Sequence, residues 1–324
     1  MSKCTLQDVA KACNVSAYTV SRAVNDKKDI SKETKEKILK VAKEMGYIAN
    51  SSARNLRTGQ TKNIAIIYDD FENPYYNMII KKLAIKLNDL DYSITIFYDF
   101  DSISLFNTKL LKRVLSSNID GIISFIALTE NAKKLNEIWK KPIIQFSKSN
   151  DIDVDSIHFD DEDGGYKLTN KVISKGYKNI GFISVTDKII GIEDRIKGYK
   201  KSLKENNIKF NNNYVIKLTD DKISITEATA KLIDMGCDAI ICYNDISAYK
   251  VLSYLDKHHK NVFVAGFDNI QQSLELPFNL LTVSGNIDDL VDKAIDLLLK
   301  RINGYSDKSS EIVLPVSIKE NLWK

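Results

Sequence analysis

Apolar residues at helical spacing occur in two short groups within residues 5–25, TLQDVAKACNVSAYTVSRAVN. The first group has the i, i+3, i+4, i+7 spacing of one helix face: Leu6, Val9, Ala10 and Cys13. Thr5, with Asp8 three residues later, matches a capping-box start signal. Asn14 and Val15 then interrupt the pattern. This arrangement predicts a short helix that ends at a tight turn.

A second short helix is predicted to begin after Ser16, whose hydroxyl can cap it. Val15 and Val20 have the spacing of a hydrophobic staple across that cap. Two helices of roughly eight to ten residues joined by a three- to four-residue turn form a helix-turn-helix, whose second helix enters the DNA major groove. Four polar residues share the other face of the second helix: Tyr18, Ser21, Arg22 and Asn25. They either contact DNA or form the ordinary polar surface of an amphipathic helix.

A third helix is predicted from Ser31, with Gly46 as its stop signal. Its apolar stripe comprises Ile38, Val41, Ala42 and Met45. This helix completes a three-helix core. The polar segment that follows, 47–59, has Ala53 and Leu56 three residues apart on one side, but too few apolar residues to pack alone. It is either a plain linker or a segment that folds on a partner.

From Ile64 onward, short Ile-rich runs alternate with longer amphipathic stretches, a pattern typical of parallel strands covered by helices on both faces. The first series of predicted strands comprises IAIIY from Ile64, SITIFY at 93–98, GIISFI at 121–126 and PIIQF at 142–146. The second comprises NIGFISV at 179–185, YVIKL at 214–218, DAIICY at 238–243, NVFVAGF at 261–267 and LLTVS at 280–284. Two doubly wound subdomains are therefore predicted, with a ligand cleft at the carboxyl ends of their strands.

Positive charge is concentrated at the N-terminus. Residues 1–62 contain 13 Lys and Arg against 6 Asp and Glu, whereas the remainder contains 34 against 37. A small basic module on a slightly acidic body indicates a polyanionic partner. Without a signal peptide or a long apolar run, the chain is expected to be cytoplasmic and to have no membrane partner.

The N-terminal segments, with SKETKEKILKVAKEMGY and NSSARNLRTGQT, resemble the headpiece and hinge of the lactose-repressor (LacI/GalR) family. The resemblance runs the length of the chain and implies a homodimer, or a higher oligomer such as a tetramer, that binds double-stranded operator DNA. It also implies an α/β fold in which a three-helix headpiece and a hinge precede a periplasmic-binding-protein-like core. The expected domains are 1–49, 50–61 and 62–324, the last divided into about 62–159 with 286–313 and about 160–283 with 316–324.

The same resemblance implies the DNA-contacting residues, including a hinge leucine that wedges into the minor groove. The candidates are Thr5, Ser16, Ala17, Tyr18, Thr19, Ser21, Arg22, Asn25, Asn50, Ala53 and Leu56. Many relatives have a proline before the hinge asparagine, where this chain has Ala49. We therefore expect a floppier start to the hinge.

Candidate effector-binding residues follow the predicted strands: Asp70, Tyr75, Tyr76, Phe159, Asp160, Arg195, Asn244 and Asp268. Aromatic faces with Asp, Asn and Arg suit a hydroxyl-rich ligand, and the expected effector is a sugar or sugar derivative. By family position Arg195, Asn244 and Asp268 are favoured, although Asn244 can equally cap a helix and Asp268 can belong to a turn. Where many relatives have a glutamine, this chain has Gly285, which implies a different effector or a water in that space.

No enzyme is expected, because the sequence has no GxGxxG, P-loop, HExxH or GxSxG motif. No cofactor or metal is expected either: four cysteines lack CxxC spacing and read as reduced thiols, and the three histidines are scattered. The acidic run from Asp160 to Asp163 suits a helix start better than a cation site. Nucleoside or phosphosugar effectors remain alternatives, as does a cytoplasmic sugar-binding protein without DNA specificity.

Overall fold

The computed structural model describes residues 4–25, 29–47, 59–98, 108–128, 140–148, 153–185, 191–218, 223–272, 274 and 279–320. The chain forms two compact units, Met1–Thr61 and Lys62–Lys324. Among the residues described, no helix is long and apolar enough to cross a membrane.

The described residues of the N-terminal unit form three helices, α1 (Leu6–Cys13), α2 (Ala17–Val24) and α3 (Lys32–Glu44). The capping box before α1 is confirmed, because the Asp8 backbone N–H donates to Thr5 Oγ1 and Asp8 accepts from the Thr5 backbone N–H. Asn14 ends α1 in the left-handed region at φ 52°. The buried residues of the three helices form one core: Val9, Ala10, Cys13, Val20, Ala23, Ile38 and Ala42. The predicted helix-turn-helix and third helix are therefore present.

The end of α3 differs from the expected apolar stripe. Met45 is 37% exposed, because the helix ends at Glu44 and Met45 is its C-cap. Gly46 follows with φ +64°, a backbone conformation that glycine adopts without a steric penalty. The stop signal was therefore correct, while the inclusion of Met45 in the core was wrong.

The second unit contains two six-stranded sheets. The first sheet comprises β1 (Asn63–Tyr68), β2 (Ser93–Tyr98), β3 (Gly121–Ser124), β4 (Ile143–Gln145), β5 (Asp155–Phe159) and β11 (Glu311–Leu314). Its order is β11-β5-β4-β3-β1-β2, and its paired strands are parallel. The helices described in this half are α4 (Pro74–Asp89), α5 (Thr108–Leu115) and α10 (Ile287–Ile302). Apolar residues of α4 and α10 and alternate residues of β1 share one buried cluster.

The second sheet comprises β6 (Ile180–Ser184), β7 (Val215–Lys217), β8 (Ala239–Cys242), β9 (Phe263–Phe267), β10 (Leu281–Gly285) and β12 (Val316–Glu320). Its order is β12-β10-β9-β8-β6-β7, and β12 runs antiparallel to β10. The helices of this half are α6 (Asp161–Ser174), α7 (Ile192–Glu205), α8 (Ile225–Asp234) and α9 (Asp245–Lys257). The chain crosses between the sheets after β5, after β10 and after β11. The predicted pair of doubly wound sheets is confirmed.

Three strands were not predicted, namely β5, β11 and β12. DSIHF and VSIKE alternate apolar with polar residues, and EIVL has only three consecutive apolar residues, so none forms a long Ile-rich run. β11 and β12 lie at sheet edges, where one side of the strand has no neighbouring strand in the sheet. Their pairing partners are distant in sequence, which local periodicity cannot reveal.

The four cysteines are free thiols. Burial raises the pKa of Cys237 to about 12 and also raises the pKa of Cys242. Both therefore remain protonated and unreactive at neutral pH. Within the described part of the chain, no group of three or more His, Cys, Asp or Glu is arranged to hold a metal ion.

Candidate functional site

The α2 helix carries the candidate DNA-contacting side chains of the N-terminal unit. Ser16 caps it, since Ser16 Oγ accepts a hydrogen bond from the Thr19 backbone N–H at 3.1 Å. Tyr18 is 66% exposed. Arg22 donates to the Tyr18 hydroxyl at 2.5 Å and forms an ion pair with Asp29. Arg22 is thus held at the helix surface by an aromatic and an acidic neighbour.

The remaining α2 candidates make contacts within the unit. Asn25 donates through Nδ2 to the Ser21 carbonyl oxygen at 2.6 Å, so its amide is engaged in the free protein. Ala17 and Thr19 are partly buried, and Thr5 belongs to the α1 capping box. The hinge candidates Asn50, Ala53 and Leu56 lie outside the described residues.

A cavity of about 660 Å³ lies at the carboxyl ends of the strands of both sheets. All eight predicted effector-binding residues line it: Asp70, Tyr75, Tyr76, Phe159, Asp160, Arg195, Asn244 and Asp268. The first turn of α4 supplies the two tyrosines, whereas α7 and the ends of β8 and β9 supply Arg195, Asn244 and Asp268. The rule that ligands bind at the carboxyl ends of parallel strands accounts for this convergence.

Arg195 is fixed by several partners at once. Its Nε donates to Asp161 Oδ1 at 2.7 Å, its Nη1 donates to the Tyr243 carbonyl oxygen, and its guanidinium carbon lies 4.4 Å from the centroid of the Phe267 ring. Burial opposes its charge, but Asp161 and Asp268 outweigh that effect and raise the pKa of Arg195. The guanidinium is therefore a permanent cation with a fixed orientation.

Close packing of α6 against α7 brings Asp161 to Arg195. A Cβ on Gly165 would lie 2.1 Å from the Arg195 carbonyl oxygen, and one on Gly198 would lie 2.0 Å from the Glu162 carbonyl oxygen. Any larger residue at either position would separate the helix backbones. These two glycines thus permit the ion pair, which was not predicted because its partners are 34 residues apart.

Asp268 follows β9 and is 8% exposed. Its backbone N–H donates to the Val283 carbonyl oxygen at 2.8 Å, and its φ of +108° is unusual for a residue other than glycine. Burial raises the pKa of Asp268 to about 7, although Arg195 acts in the opposite direction. The buried Asp245 supports the same loop, because it accepts from the Ile270 backbone N–H and the Thr282 hydroxyl.

Three other predicted residues also hold local structure. Asn244 caps α9 by accepting from the Ser247 backbone N–H at 2.9 Å, and Asp160 caps α6 by accepting from the Asp163 backbone N–H at 2.9 Å. Asp70 accepts from the Glu72 backbone N–H at 3.0 Å. The helix-cap alternative for Asn244 and the helix-start interpretation of the acidic run are therefore correct. Capping uses one oxygen of each side chain.

Phe159 occupies the space beside Gly285. A Cβ on Gly285 would lie 1.9 Å from Cε1 and 2.0 Å from Cδ1 of the Phe159 ring. The expectation that a water fills this space is wrong, because the aromatic ring already does. Phe159 also packs against the hydrophobic clusters of both sheets. The sequence contained both residues, but nothing local indicated that they touch.

Several further residues of the cavity wall were not predicted: Asp69, Phe125, Phe146, Lys148, Asp194, Tyr243 and Glu311. Asp69 and Tyr243 directly precede the candidates Asp70 and Asn244, so adjacency to a strand end was an available signal. His158 lies between the Phe159 carbonyl oxygen, 2.9 Å from Nδ1, and Glu311 Oε1, 3.3 Å from Nε2. That pairing depends on β11, which the sequence did not reveal.

Both units of the chain match known protein families. Residues 5–50 match the family described as bacterial regulatory proteins, lacI family, and residues 61–317 match periplasmic binding proteins and sugar binding domain of LacI family. The HTH-type transcriptional regulator RegA of Clostridium saccharobutylicum is 30% identical over 313 residues, which cover 92% of each chain. The HTH-type transcriptional regulator DegA of Bacillus subtilis is 29% identical over 325 residues, covering 97% of this chain and 96% of DegA.

Solved structures show the same fold. The Lac repressor dimer bound to operator and the anti-inducer ONPF superposes with a TM-score of 0.82 at 22% identity, covering 98% of both chains. RegA and DegA, which match along most of the chain, are both named as HTH-type transcriptional regulators. With its helix-turn-helix unit and its core of two mainly parallel sheets, this chain belongs to the LacI family and is a DNA-binding transcriptional regulator.

Proposed function

We propose that this regulator is a repressor whose operator affinity is set by a small hydroxyl-rich effector, a sugar or sugar derivative, bound in the cavity. The observation that carries the proposal is the convergence of aromatic, amide, guanidinium and carboxylate groups on one cavity of about 660 Å³. This volume lies within the range of small-molecule sites. A core that provided only dimer contacts would not need such a cavity.

The side chains suit vicinal hydroxyl groups. Arg195 offers donors in a rigid fork, Asn244 offers an amide, and Asp268 offers acceptors, so together they can pair hydroxyls that would otherwise lose hydrogen bonds on burial. Tyr75 and Tyr76 offer faces for the apolar side of a sugar ring. In support, one related structure is described as a CelR–cellobiose complex and another as a LacI family regulator with bound ribose.

We propose that two headpieces act together on one operator. A single α2 presents few groups to base edges, and helix-turn-helix proteins commonly read two half-sites as dimers. The candidate DNA contacts are Thr5, Ser16, Ala17, Tyr18, Thr19, Ser21, Arg22, Asn25, Asn50, Ala53 and Leu56. The proposed domain limits are 1–49 for the headpiece, 50–61 for the hinge and 62–324 for the core. A tetramer built from two such dimers would read each operator in the same way.

A thermal-shift screen of the full chain against sugars, nucleosides and phosphosugars tests the effector class. A ligand at about 100 times its dissociation constant stabilises the folded state by about 2.7 kcal/mol. We expect sugars or their derivatives to raise the melting temperature. Stabilisation by nucleosides alone would support the nucleoside-responsive alternative. Selection of genomic DNA fragments on the same protein tests the operator: enrichment of a near-palindromic site is expected, and no enrichment would favour a sugar-binding protein without DNA specificity.

A further inference from the structure

The cavity wall has a large excess of negative charge. Eight of the described residues that line it are Asp or Glu, whereas its permanent cations are Lys148 and Arg195, accompanied by His158. Such a surface repels an anionic ligand and attracts a cationic one, more strongly as water is excluded.

A helix start or an ion pair accounts for five of the eight carboxyl groups, and Asp70 accepts a backbone hydrogen bond from Glu72. Asp160, Asp161 and Glu162 lie at the start of α6, where the helix dipole favours negative charge. Asp161 is also paired with Arg195. Asp194 lies 3.5 Å from Lys148, and Glu311 lies 3.3 Å from His158. Both wall cations are thus already matched to an acid.

The other three carboxyl groups, Asp69, Asp70 and Asp268, line the same cavity as Tyr76. Burial raises the pKa of Tyr76, and the negative charges of these three acids raise it further. Asp69 and Asp70 follow β1, whereas Asp268 follows β9, so the two sheets contribute acids from opposite sides. Among the described residues, none donates a hydrogen bond to the Asp268 carboxylate, although that residue is more than nine-tenths buried.

Aromatic rings extend this part of the wall. The ring centroids of Tyr76 and Phe125 are 5.1 Å apart, and those of Phe125 and Phe146 are also 5.1 Å apart. Aromatic faces attract cations through their quadrupole, and the attraction is stronger when the cation is removed from water. Carboxylates beside aromatic faces form a suitable site for an ammonium group.

We propose that the effector carries an ammonium group that binds between Asp70 and Asp268 beside Tyr76, and that it is an amino sugar. This inference rests on the proposed function of the cavity and specifies its ligand class. The hydroxyls of the sugar form hydrogen bonds with Arg195 and Asn244, while the ammonium offsets the repulsion between the acids that follow strands of the two sheets. An ammonium that bridges these acids favours a conformation in which the two halves of the core lie closer together. Its positive charge therefore couples ligand binding to the conformation of the core.

The test compares matched ligands on the full chain. Glucosamine, galactosamine and mannosamine are each titrated calorimetrically beside the parent hexose, the N-acetyl derivative, which removes the positive charge, and the hexose 6-phosphate. We expect at least one amino sugar to bind about tenfold tighter than its hexose and N-acetyl partners. The 6-phosphates are expected to give no detectable heat.

Charge-removing variants locate the effect. Asp70→Asn and Asp268→Asn should each weaken amino-sugar binding about tenfold. The control Asp234→Asn removes an exposed acid at the end of α8 that does not line the cavity, and it should leave binding unchanged. If the variants weaken hexose and amino-sugar binding equally, the carboxylates recognise hydroxyls and the ammonium proposal is wrong.

The outcomes separate this inference from the proposed function. Equal or tighter binding of a hexose, an N-acetyl derivative or a 6-phosphate overturns the ammonium proposal while leaving a sugar-responsive cavity in place. Absence of binding by all four ligand classes at about 10 mM, where even weak sites are occupied, overturns both.

Discussion

The contact between Phe159 and Gly285 predicts the result of Gly285→Gln. A Cβ at this position would lie 1.9 Å from Cε1 of the Phe159 ring, whereas nonbonded carbons settle about 3.5–4.0 Å apart. The ring must therefore move by about 1.5–2 Å. Because Phe159 packs against both hydrophobic clusters, this movement disturbs both halves of the core. We expect a loss of about 1–3 kcal/mol in the free energy of unfolding.

A double-mutant cycle with Phe159→Ala measures this effect. Removing the ring opens the space that a Gln side chain needs, so Gly285→Gln should cost little in the Phe159→Ala background. Each variant is unfolded in urea, and thermal melts should shift by roughly 2–4 °C per kcal/mol for a unit of this size. The coupling between the two substitutions should reach about 1 kcal/mol or more. Equal losses from Gly285→Gln in both backgrounds would show that the ring does not occupy this space.

Four further substitution and pH experiments test the two sites. Arg22→Ala should weaken a specific operator by about 1–3 kcal/mol and a scrambled duplex less in gel shifts; equal losses would make Arg22 a phosphate contact. Leu56→Ala should reduce operator affinity and bending but leave the melting temperature of the free protein unchanged, whereas a lower melting temperature would assign it to a core. Asp268→Ala should weaken effector binding at least about tenfold in calorimetry while operator binding without effector persists; unchanged effector affinity would remove it from the site. Burial raises the pKa of Asp268 from 3.8 to about 7, so the native state holds this proton more tightly than the unfolded state. As pH rises from about 4 to 8, the wild type should therefore lose stability relative to Asp268→Asn. Urea titrations should show a loss of at most about 4 kcal/mol in the free energy of unfolding. A constant difference across that range would refute a raised pKa.

Local sequence patterns predicted most of the fold. The nine Ile- and Val-rich runs became strands because consecutive apolar residues suit a sheet covered on both faces. The helix caps at Thr5, Ser16 and Ser31 were likewise visible, since capping depends on residues three positions apart. Strands with alternating polarity, such as VSIKE, gave no such signal, because their pairing depends on distant partners.

The cavity was only partly predictable. Strand ends and the family resemblance indicated Arg195, Asn244 and Asp268, and the structure brings them to one cavity. The contacts that give this cavity its character join residues far apart in sequence: Arg195 with Asp161, and Phe159 with Gly285. The buried environment that raises the pKa of Asp268 also depends on tertiary packing. No local pattern specifies such contacts.

Operator affinity measured with and without a cavity ligand shows whether the cavity controls DNA binding. The operator is the sequence enriched from genomic fragments, and the ligand is the compound that most raises the melting temperature of the full chain. Fluorescence anisotropy titrations should show a change in operator affinity of about 5–150-fold when the ligand is saturating. At the same ligand concentration, Asp268→Ala should show little change. If the wild type binds the operator with the same affinity whether the cavity is filled or empty, the cavity does not regulate DNA binding and the account is wrong.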